Sequence, residues 1–500
     1  MSLPDAPAAP AQIRTELEWL RESDAPSEGG RVLAYVYDAG IADLQSVAHG
    51  ALARFSGVNA LDPTVFPSVA AIENDLVGWG LSLLGGPAVP EAVGTVTSGG
   101  TESCTLAVKA ARSQWRARHP DDPRRPALVL GTTGHPAFAK AAELLDVDLV
   151  RVGVDPMTMA VRADEVAAVL AELGTRACLV VASAPSYAHG VLDPVAEIAA
   201  LGGAAGVPVH VDACIGGWVL PFMAQLGEDV PPFDLSVPGV RSLSVDLHKY
   251  AYAPKGSSLL LFSDQEYRLG TYFTFSDWPG YPVVNTTLQS TKSAGPMAAA
   301  WAVARRIGAD GYRQLVAQAR SATLAIAAAV EGIPGLRVLA TPGSTLLALG
   351  ADPTDTGAAS GAGIDPFVLV DRMRHLGWVI QAQPAFAGLP RSAHLTVQAT
   401  TATMLDEFLQ ALRQAAAEAR GLPAATVDPQ LQAAAESVDV AALDLETIRN
   451  LTTFAGLNAG GQPWLPEEAA GVQALIEGLP AELRDAMLGG YFATIFEPRT

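Results

Sequence analysis

The chain has 500 residues, of which 49% are hydrophobic and 17% are charged. At about 100 to 200 residues per domain, this length predicts two or three domains with large hydrophobic cores, and it excludes a small disulfide-stabilised module or a disordered chain. The 32 basic and 52 acidic residues give a net charge of −20. Such an acidic chain repels phosphate backbones and anionic lipid headgroups over any long range, so we do not expect nucleic acid as a partner.

The cysteines and the first thirty residues bear on the compartment of the protein. Cys104, Cys178 and Cys214 lie in apolar or small-residue stretches without Cys-x-x-Cys spacing, so we interpret them as buried thiols in a reducing environment. The N-terminal segment has scattered charges and no apolar stretch of signal-peptide length, and no apolar run reaches the roughly 18 residues of a membrane helix. We therefore expect a cytoplasmic protein without a targeting peptide or a membrane span.

Between residues 93 and 264, short β-rich runs alternate with helical patterns. Nearly continuous apolar strands that alternate with helices are typical of a parallel or mixed sheet covered on both faces, which is an α/β domain. The predicted strands fall within 93–100, 127–135, 148–154, 177–184, 207–214 and 257–264, and the predicted helices are 101–118, 137–145, 163–173 and 194–205.

A second pattern follows a long alanine-rich helical stretch at 295–332. Strands are predicted within 336–340, 344–350, 378–383 and 393–399, and helices at 366–377 and 404–421. This order predicts a smaller α+β domain. We divide the chain into an N-terminal segment (1–70), a large domain (71–319), a small domain (320–422) and a C-terminal extension (423–500).

Three polar segments are predicted at strand ends of the large domain, where ligands collect in open α/β sheets. Thr97-Ser-Gly-Gly-Thr-Glu102 is a glycine-rich turn that opens a helix, whose N-terminal amides favour an anion. Asp212 follows an apolar strand directly, and His248 and Lys249 end another predicted strand. Each segment taken alone has an ordinary structural explanation: a tight turn, a capping carboxylate and a solvated lysine.

The three segments together favour a pocket for pyridoxal 5'-phosphate (PLP). This cofactor needs a lysine to which it bonds, a buried carboxylate beside its pyridine nitrogen, and amides for its phosphate. No other common cofactor requires this combination.

The motifs Gly-x-Val-Thr-Ser-Gly-Gly-Thr-Glu-Ser, His-Val-Asp-Ala-Cys-Ile-Gly-Gly and Asp-x-His-Lys-Tyr-x-Tyr-Ala-Pro-Lys-Gly-Ser-Ser occur in this order. With Ser-Ala-Pro-x-x-x-His-Gly-Val-Leu-Asp-Pro-Val, they resemble sphingosine-1-phosphate lyase and its bacterial relatives, in the group II PLP-dependent decarboxylase superfamily. The resemblance runs from about residue 30 to residue 421. It implies the PLP-dependent transferase fold of type I, with a mostly parallel mixed sheet, and a homodimer whose active sites lie between subunits.

The resemblance also implies roles for individual residues. Lys249 would bond to the cofactor, Asp212 would pair with its pyridine nitrogen, and His135 would stack on its ring. Taken alone, His135 is better explained as a histidine near a helix start. Gly100, Thr101 and His248 would surround the cofactor phosphate. Ser183 would lie near the phenolic oxygen of the cofactor ring.

The segments that bind the substrate's own phosphate in the family match unevenly. Tyr37, Asn59 and Lys255 are retained, whereas Asp62 stands where the family has a histidine, and Lys292 stands where it has an arginine. An added carboxylate repels a phosphate, and a lysine lacks the bidentate guanidinium fork. The family's Tyr-Ala-Ser-Pro reads Val-Val-Asn-Thr at 283–286, and its Tyr-Gly-Met-Ala has its nearest counterpart at 454–457.

The resemblance implies a carbon–carbon lyase that cleaves a 2-amino-3-hydroxy compound by retro-aldol chemistry, acting on a small-molecule amine or amino acid. The uneven phosphate site leads us to hypothesise a substrate other than a phosphorylated long-chain base. The alternative is an amino-acid α-decarboxylase, which uses the same lysine, aspartate and histidine. A PLP-binding protein without catalysis is a third, less favoured interpretation, and no metal is expected.

Overall fold

The computed structural model describes residues 3–355, 363–427, 429–454 and 468–498. Its largest sheet has seven strands in the order β1-β7-β6-β5-β4-β2-β3. Neighbouring strands from β6 to β3 run parallel, whereas β7 is antiparallel to both β1 and β6. The strands are β1 Val93–Thr97, β2 Ala127–Gly131, β3 Asp148–Val152, β4 Ala177–Ser183, β5 Val209–Asp212, β6 Val240–Asp246 and β7 Ser258–Phe262.

Helices cover this sheet because the connections between its parallel strands cross over its faces. The strands β2, β4, β5 and β7 are buried at every position, which explains the nearly continuous apolar sequences of β2, β4 and β7. The helices up to the end of this unit are Pro10–Leu20, Leu44–Phe55, Pro67–Leu83, Gly100–Arg118, Ala137–Leu144, Ala163–Leu173, Val195–Ala205, Leu220–Gln225 and Gln265–Leu269.

The alanine-rich stretch forms a helical segment, Gly295–Glu331, interrupted at Gly308. Gly308 has φ 66° and ψ 170°, a conformation that glycine adopts without a Cβ clash. The segment packs Val303 into the core beneath the seven-stranded sheet and Ile326 into a second core further along the chain. One segment therefore links the two hydrophobic cores.

The second core lies against a four-stranded antiparallel sheet of order β10-β11-β13-β12. A segment near the N-terminus joins it, because Val32 forms a parallel bridge with Val379, and Leu33 is buried in this core. These strands are β10 Leu336–Val338, β11 Leu346–Ala351, β12 Gln381–Gln383 and β13 Ser392–Thr396, and the helices are Pro366–His375, Ala399–Thr403 and Leu405–Ala419.

Two features lie outside these sheets. A two-stranded hairpin, β8 Phe273–Phe275 and β9 Val283–Asn285, carries exposed aromatic side chains. The C-terminal part contains the helices Pro429–Glu436, Leu445–Phe454, Ala470–Gly478 and Ala481–Ile495. Within the described ranges, no helix combines the length and the apolar character needed to cross a membrane.

The predicted α/β fold with a smaller α+β unit is confirmed, and the strands and helices lie within a few residues of their predicted bounds. The hairpin β8–β9 was not predicted. All three cysteines are buried and free. The division at residues 70, 319 and 422 stays a prediction.

Candidate active site

A cavity of about 380 Å³ opens where β4, β5 and β6 end. Parallel strands end at the same edge of a sheet, which brings their last residues together with the helix that follows β1. Each predicted cofactor residue lines this cavity: Gly100, Thr101, His135, Ser183, Asp212, His248 and Lys249. The geometry therefore gathers residues that are up to 149 positions apart in the sequence.

The helix Gly100–Arg118 points its N-terminus into the cavity. A Cβ on Gly100 would lie 2.8 Å from both carboxylate oxygens of Asp246 and 3.0 Å from Sγ of Cys214, so the close approach of this turn requires glycine. Glu102 accepts a hydrogen bond from the backbone N–H of Ser98 at 2.6 Å and holds the turn in place. The free amides of a helix start are suited to a phosphate.

Lys249 forms a buried ion pair with Asp246. The distance from Nζ to Oδ2 is 2.9 Å, and the side chains are 20% and 2% exposed. Burial alone would lower the pKa of Lys249, but the Asp246 carboxylate outweighs it and raises that pKa well above its usual value. Burial would raise the pKa of Asp246, but the positive charges of Lys249 and His248 lower it. Without a bound cofactor, the lysine is therefore held as an ammonium group.

Asp212 is the last residue of β5 and is 8% exposed. Its Oδ1 accepts hydrogen bonds from the backbone N–H of Cys214 at 3.1 Å and from Oγ of Ser244 at 3.3 Å. A carboxylate fixed in this way is suited to binding a protonated ring nitrogen in the cavity.

Ser183, at the end of β4, is held by a buried carboxylate. Asp193 accepts hydrogen bonds from the backbone N–H groups of Ser183 at 2.7 Å and of Val161 at 3.0 Å. Burial raises the pKa of Asp193 to about 6 despite these bonds.

His135 lies on the loop after β2, and its Nδ1 accepts a hydrogen bond from the backbone N–H of Ala137 at 3.2 Å. Burial lowers the pKa of His135, against the opposing charge of Asp212. The imidazole is therefore neutral near pH 7, with Nδ1 as acceptor, and can pack as a flat ring against an aromatic cofactor.

These residues fit PLP. The cavity offers an amine, a fixed carboxylate, a neutral ring and a helix start, and the glycine at position 100 leaves room where a Cβ would clash. In addition, Oδ1 of the buried Asp246 has no hydrogen-bond partner among the residues that the structure describes. An unpartnered buried carboxylate oxygen is costly, and it is expected where a bound group completes the site.

Two of the predicted substrate residues lie together in an adjoining cavity of about 200 Å³. Nζ of Lys255 lies 4.9 Å from the centre of the Tyr37 ring, and His248 lines both this cavity and the cofactor cavity. Burial and the charge of Lys249 lower the pKa of Lys255, whereas burial raises the pKa of Tyr37 to about 12. A cation and a neutral hydroxyl therefore stand beside the cofactor cavity.

The other three predicted substrate residues lie elsewhere. Lys292 lines a cavity of about 410 Å³ that shares Ser98 with the cofactor cavity. Asn59 lies near Lys292, because the backbone N–H of the adjacent residue Ala60 donates to the carbonyl of Lys292. The Oδ1 of Asn59 accepts a hydrogen bond from the backbone N–H of Leu61. Asp62 Oδ1 accepts from the N–H and the hydroxyl of Thr64, which lower its pKa. Within this chain, Asp62 lines none of these three cavities.

Other lining residues were not singled out from the sequence: Cys104, Tyr187, Cys214 and Asp246. The signal for Asp246 was available, because it ends an apolar strand three residues before Lys249, as Asp212 ends β5. Tyr187 carries no such signal. The nearest sequence counterpart to the family's Tyr-Gly-Met-Ala, at 454–457, falls largely outside the described residues.

The fold and the cavity define an enzyme of the PLP-dependent fold type I class. Residues 32–345 match the family model described as the pyridoxal-dependent decarboxylase conserved domain, and residues 429–494 match the one described as a C-terminal putative HTH (helix-turn-helix) domain of pyridoxal-dependent enzymes. The chain belongs to the pyridoxal-dependent decarboxylase family and is a PLP-dependent lyase.

Its relatives within this family include sphingosine-1-phosphate lyases. The rice enzyme is 33% identical over 80% of this chain and 72% of its own length, and the Dictyostelium discoideum enzyme is 35% identical over 73% of this chain and 64% of its own length. The chain thus spans about two thirds of these relatives. A sphingosine-1-phosphate lyase of Burkholderia pseudomallei has a similar structure, with a TM-score of 0.77 and 32% identity over 84% of this chain and 93% of that chain. The recognised resemblance is confirmed.

Proposed function

We propose that this protein cleaves the Cα–Cβ bond of a 2-amino-3-hydroxy substrate by retro-aldol chemistry. The observation that supports this most is the single cavity that gathers Lys249, Asp212 and His135 in a chain about one third identical to sphingosine-1-phosphate lyases. The products would be an aldehyde and a smaller amine. The alternative, α-decarboxylation, would use the same three residues.

In this reaction the protein would hold and orient the cofactor and keep its pyridine nitrogen protonated. When bound, PLP supplies an electron sink for the electron pair released as a bond at Cα breaks. Asp212, fixed by Cys214 and Ser244, would keep the pyridine nitrogen protonated. His135 would hold the ring plane, and the start of the helix Gly100–Arg118 would hold the phosphate. Lys249 would hold the cofactor between turnovers.

The substrate's far end would lie at Tyr37 and Lys255. Their contact at 4.9 Å beside His248 supports this placement, because an ammonium and a hydroxyl there can bind an anionic or polar group. Asp62 and Lys292 depart from the family pattern, and we keep the hypothesis that the substrate is not a phosphorylated long-chain base. We also propose that the protein is cytoplasmic, which its three free, buried cysteines support.

We further propose a homodimer. Phe273, Phe275 and Tyr281 on and beside the hairpin β8–β9 are 51%, 45% and 61% exposed, and Trp19 and Leu17 of the helix Pro10–Leu20 are 64% and 57% exposed. Exposed apolar patches of this kind are typical of protein interfaces. Light scattering would give the dimer mass, and a protein that stays monomeric at assay concentration would contradict the proposal.

Product analysis tests the reaction. We expect purified holoenzyme, incubated with 2-amino-3-hydroxy compounds, to release an aldehyde and a smaller amine in equal amounts. Release of carbon dioxide with the amine of unchanged carbon skeleton would instead establish the decarboxylase. Comparing sphingosine-1-phosphate with sphingosine tests the substrate's far end: rapid cleavage of the phosphorylated compound, with no gain in Asp62→His, would refute the hypothesis about Asp62.

A further inference from the structure

The helix Ala470–Gly478 of the C-terminal part binds the loop between β12 and β13 of the small sheet. Glu477 accepts hydrogen bonds from the backbone N–H of Ala385 at 2.6 Å and from Nε of Arg391 at 2.7 Å, and it forms an ion pair with the Arg391 guanidinium. The two side chains are 16% and 21% exposed. Both carboxylate oxygens of Glu477 are therefore used to hold one loop.

Arg391 is itself fixed on the small domain. Its Nη1 donates to Asp365 at 2.7 Å and to the carbonyl of Ala425 at 2.8 Å, and its guanidinium lies 4.4 Å from the centre of the Phe367 ring. A planar guanidinium held on several sides loses little further entropy when it binds a carboxylate. The contact with Glu477 is therefore a defined anchor and not a mobile surface pair.

The start of the same helix is anchored separately. Asp371 accepts hydrogen bonds from the backbone N–H groups of Ala469 at 3.0 Å and Ala470 at 2.8 Å, and Arg372 pairs with Glu468 at 2.9 Å. The free amides of a helix start are thus bound by a carboxylate of the small domain. With Glu477 near its other end, the helix is fixed at two places.

The loop that Glu477 holds leads to the cofactor cavity. In β12, Gln381 accepts a hydrogen bond from the hydroxyl of Tyr187 at 2.5 Å, and Gln383 donates to the carbonyl of Ala188 at 2.8 Å. His394 in β13 stacks on the Tyr187 ring at 4.2 Å. Tyr187 lines the cofactor cavity. A continuous set of contacts therefore runs from Glu477 through β12 to the wall of the active site.

The charge of the C-terminal part argues against nucleic acid. Residues 429–494 contain nine acidic residues, two arginines and no lysine. Modules that bind nucleic acid depend on lysine and arginine contacts with phosphates. This helical segment lacks the charge for that use.

We propose that Glu477 is a positioning residue and that the helix Ala470–Gly478 serves as a brace that fixes β12 against Tyr187. We also propose that the C-terminal helices do not bind nucleic acid. This inference rests on the proposed function only for its activity measurement.

Hydrogen–deuterium exchange of the full-length holoenzyme tests the brace without an assay of activity. Glu477→Gln should raise exchange roughly ten-fold in peptides covering 381–391 and 187–190, since charge-assisted hydrogen bonds are lost. The matched control is Glu482→Gln in the next helix, because Glu482 is exposed; it should leave these peptides unchanged. Unchanged exchange in Glu477→Gln would overturn the proposal, even if the proposed reaction also proved wrong.

A double-mutant cycle tests whether the effect reaches the active site through β12. Glu477→Gln should lower kcat several-fold in the wild-type background and have little effect in a Gln381→Leu background, because the connection is already broken there. Equal effects in both backgrounds would contradict the path. Fluorescence anisotropy with labelled duplex DNA at low salt should show no binding. Binding that Arg449→Ala or Arg484→Ala weakens would refute the proposal that the C-terminal helices do not bind nucleic acid.

Discussion

Asp246→Asn tests the ion pair that controls the active-site lysine. The substitution keeps the shape of the side chain but removes the carboxylate 2.9 Å from Nζ of Lys249. At an effective dielectric of about 20, that contact is worth about 6 kcal/mol before the cost of burial is subtracted. Breaking a buried pair costs about 3–5 kcal/mol in practice. A loss of about 3 kcal/mol in the interaction with the ammonium form would lower the pKa of Lys249 in the variant.

The assay is the rate at which cofactor-free protein captures added PLP, followed by absorbance across a range of pH. Only the neutral amine is a nucleophile, and the raised pKa of Lys249 means that the wild-type rate should climb about ten-fold per pH unit through the neutral range. In Asp246→Asn the lower pKa of Lys249 should shift this profile to lower pH. Capture at pH 7 should therefore be faster in the variant.

Although Asp246→Asn should capture PLP faster, the substitution should make the cofactor-free protein less stable. The pair stabilises the fold below the unfolded-state pKa of lysine, about 10.4, and this contribution is lost as pH rises through the higher folded-state pKa. The urea midpoint of Asp246→Asn should lie below that of the wild type at pH 7, and the gap should narrow at high pH. Asp43→Asn, which breaks the exposed pair with Arg306, is the control. An unchanged capture profile in Asp246→Asn, or an equal shift in Asp43→Asn, would refute the reasoning.

Three further substitutions have distinct expected results. Gly100→Ala places a Cβ 2.8 Å from the Asp246 carboxylate and should weaken PLP binding by about 1–3 kcal/mol, measured by cofactor fluorescence; Gly203→Ala, which meets nothing within 4 Å, should bind normally. Burial raises the pKa of Asp193 to about 6, so the protein should lose about 3 kcal/mol of stability as pH rises from about 4 to about 6. Asp193→Asn should abolish this fall in the urea midpoint with pH, and an identical fall in the variant would contradict the burial argument. Lys255→Met should raise KM for a substrate with an anionic end and change kcat little, and an unchanged KM would place that end elsewhere.

The sequence was sufficient for the architecture because the large sheet is almost uniformly buried. Strands such as β2 and β4 read as nearly unbroken apolar runs, and the segments between the strands carry helical periodicity. The hairpin β8–β9 was not predictable from the sequence, because its strands are not uniformly buried. Its strands are three residues long, and Phe273, Thr274 and Phe275 are all exposed, so burial imposes no alternating pattern on them.

Site residues at the ends of strands were predictable from the sequence. Site residues that only tertiary contacts bring to the cavity were not. Asp212 ends β5 and Lys249 follows the end of β6, so both stand out as polar residues at a sheet edge. Tyr187 comes to the cavity wall through its hydrogen bond with Gln381 and its stacking on His394, which are about 200 residues away. No local pattern encodes such a contact. The same holds for Glu477, whose loop partners lie about 90 residues earlier.

The net charge of −20 does not exclude a phosphate-bearing cofactor, because the cavity balances its own charges. Lys249 and His248 face Asp246, and Asp212 is held by hydrogen-bond donors. A phosphate there would meet the amides at the start of the helix Gly100–Arg118 and would not need a surplus of cations. Because those amides carry no titratable proton, they add no pH dependence of their own to phosphate binding, whereas capture by Lys249 should respond strongly to pH. Measuring PLP affinity in a Lys249→Ala variant isolates the phosphate site from capture by the lysine, and a large further loss of affinity in Lys249→Ala/His248→Ala would assign the phosphate site to His248 in place of the helix.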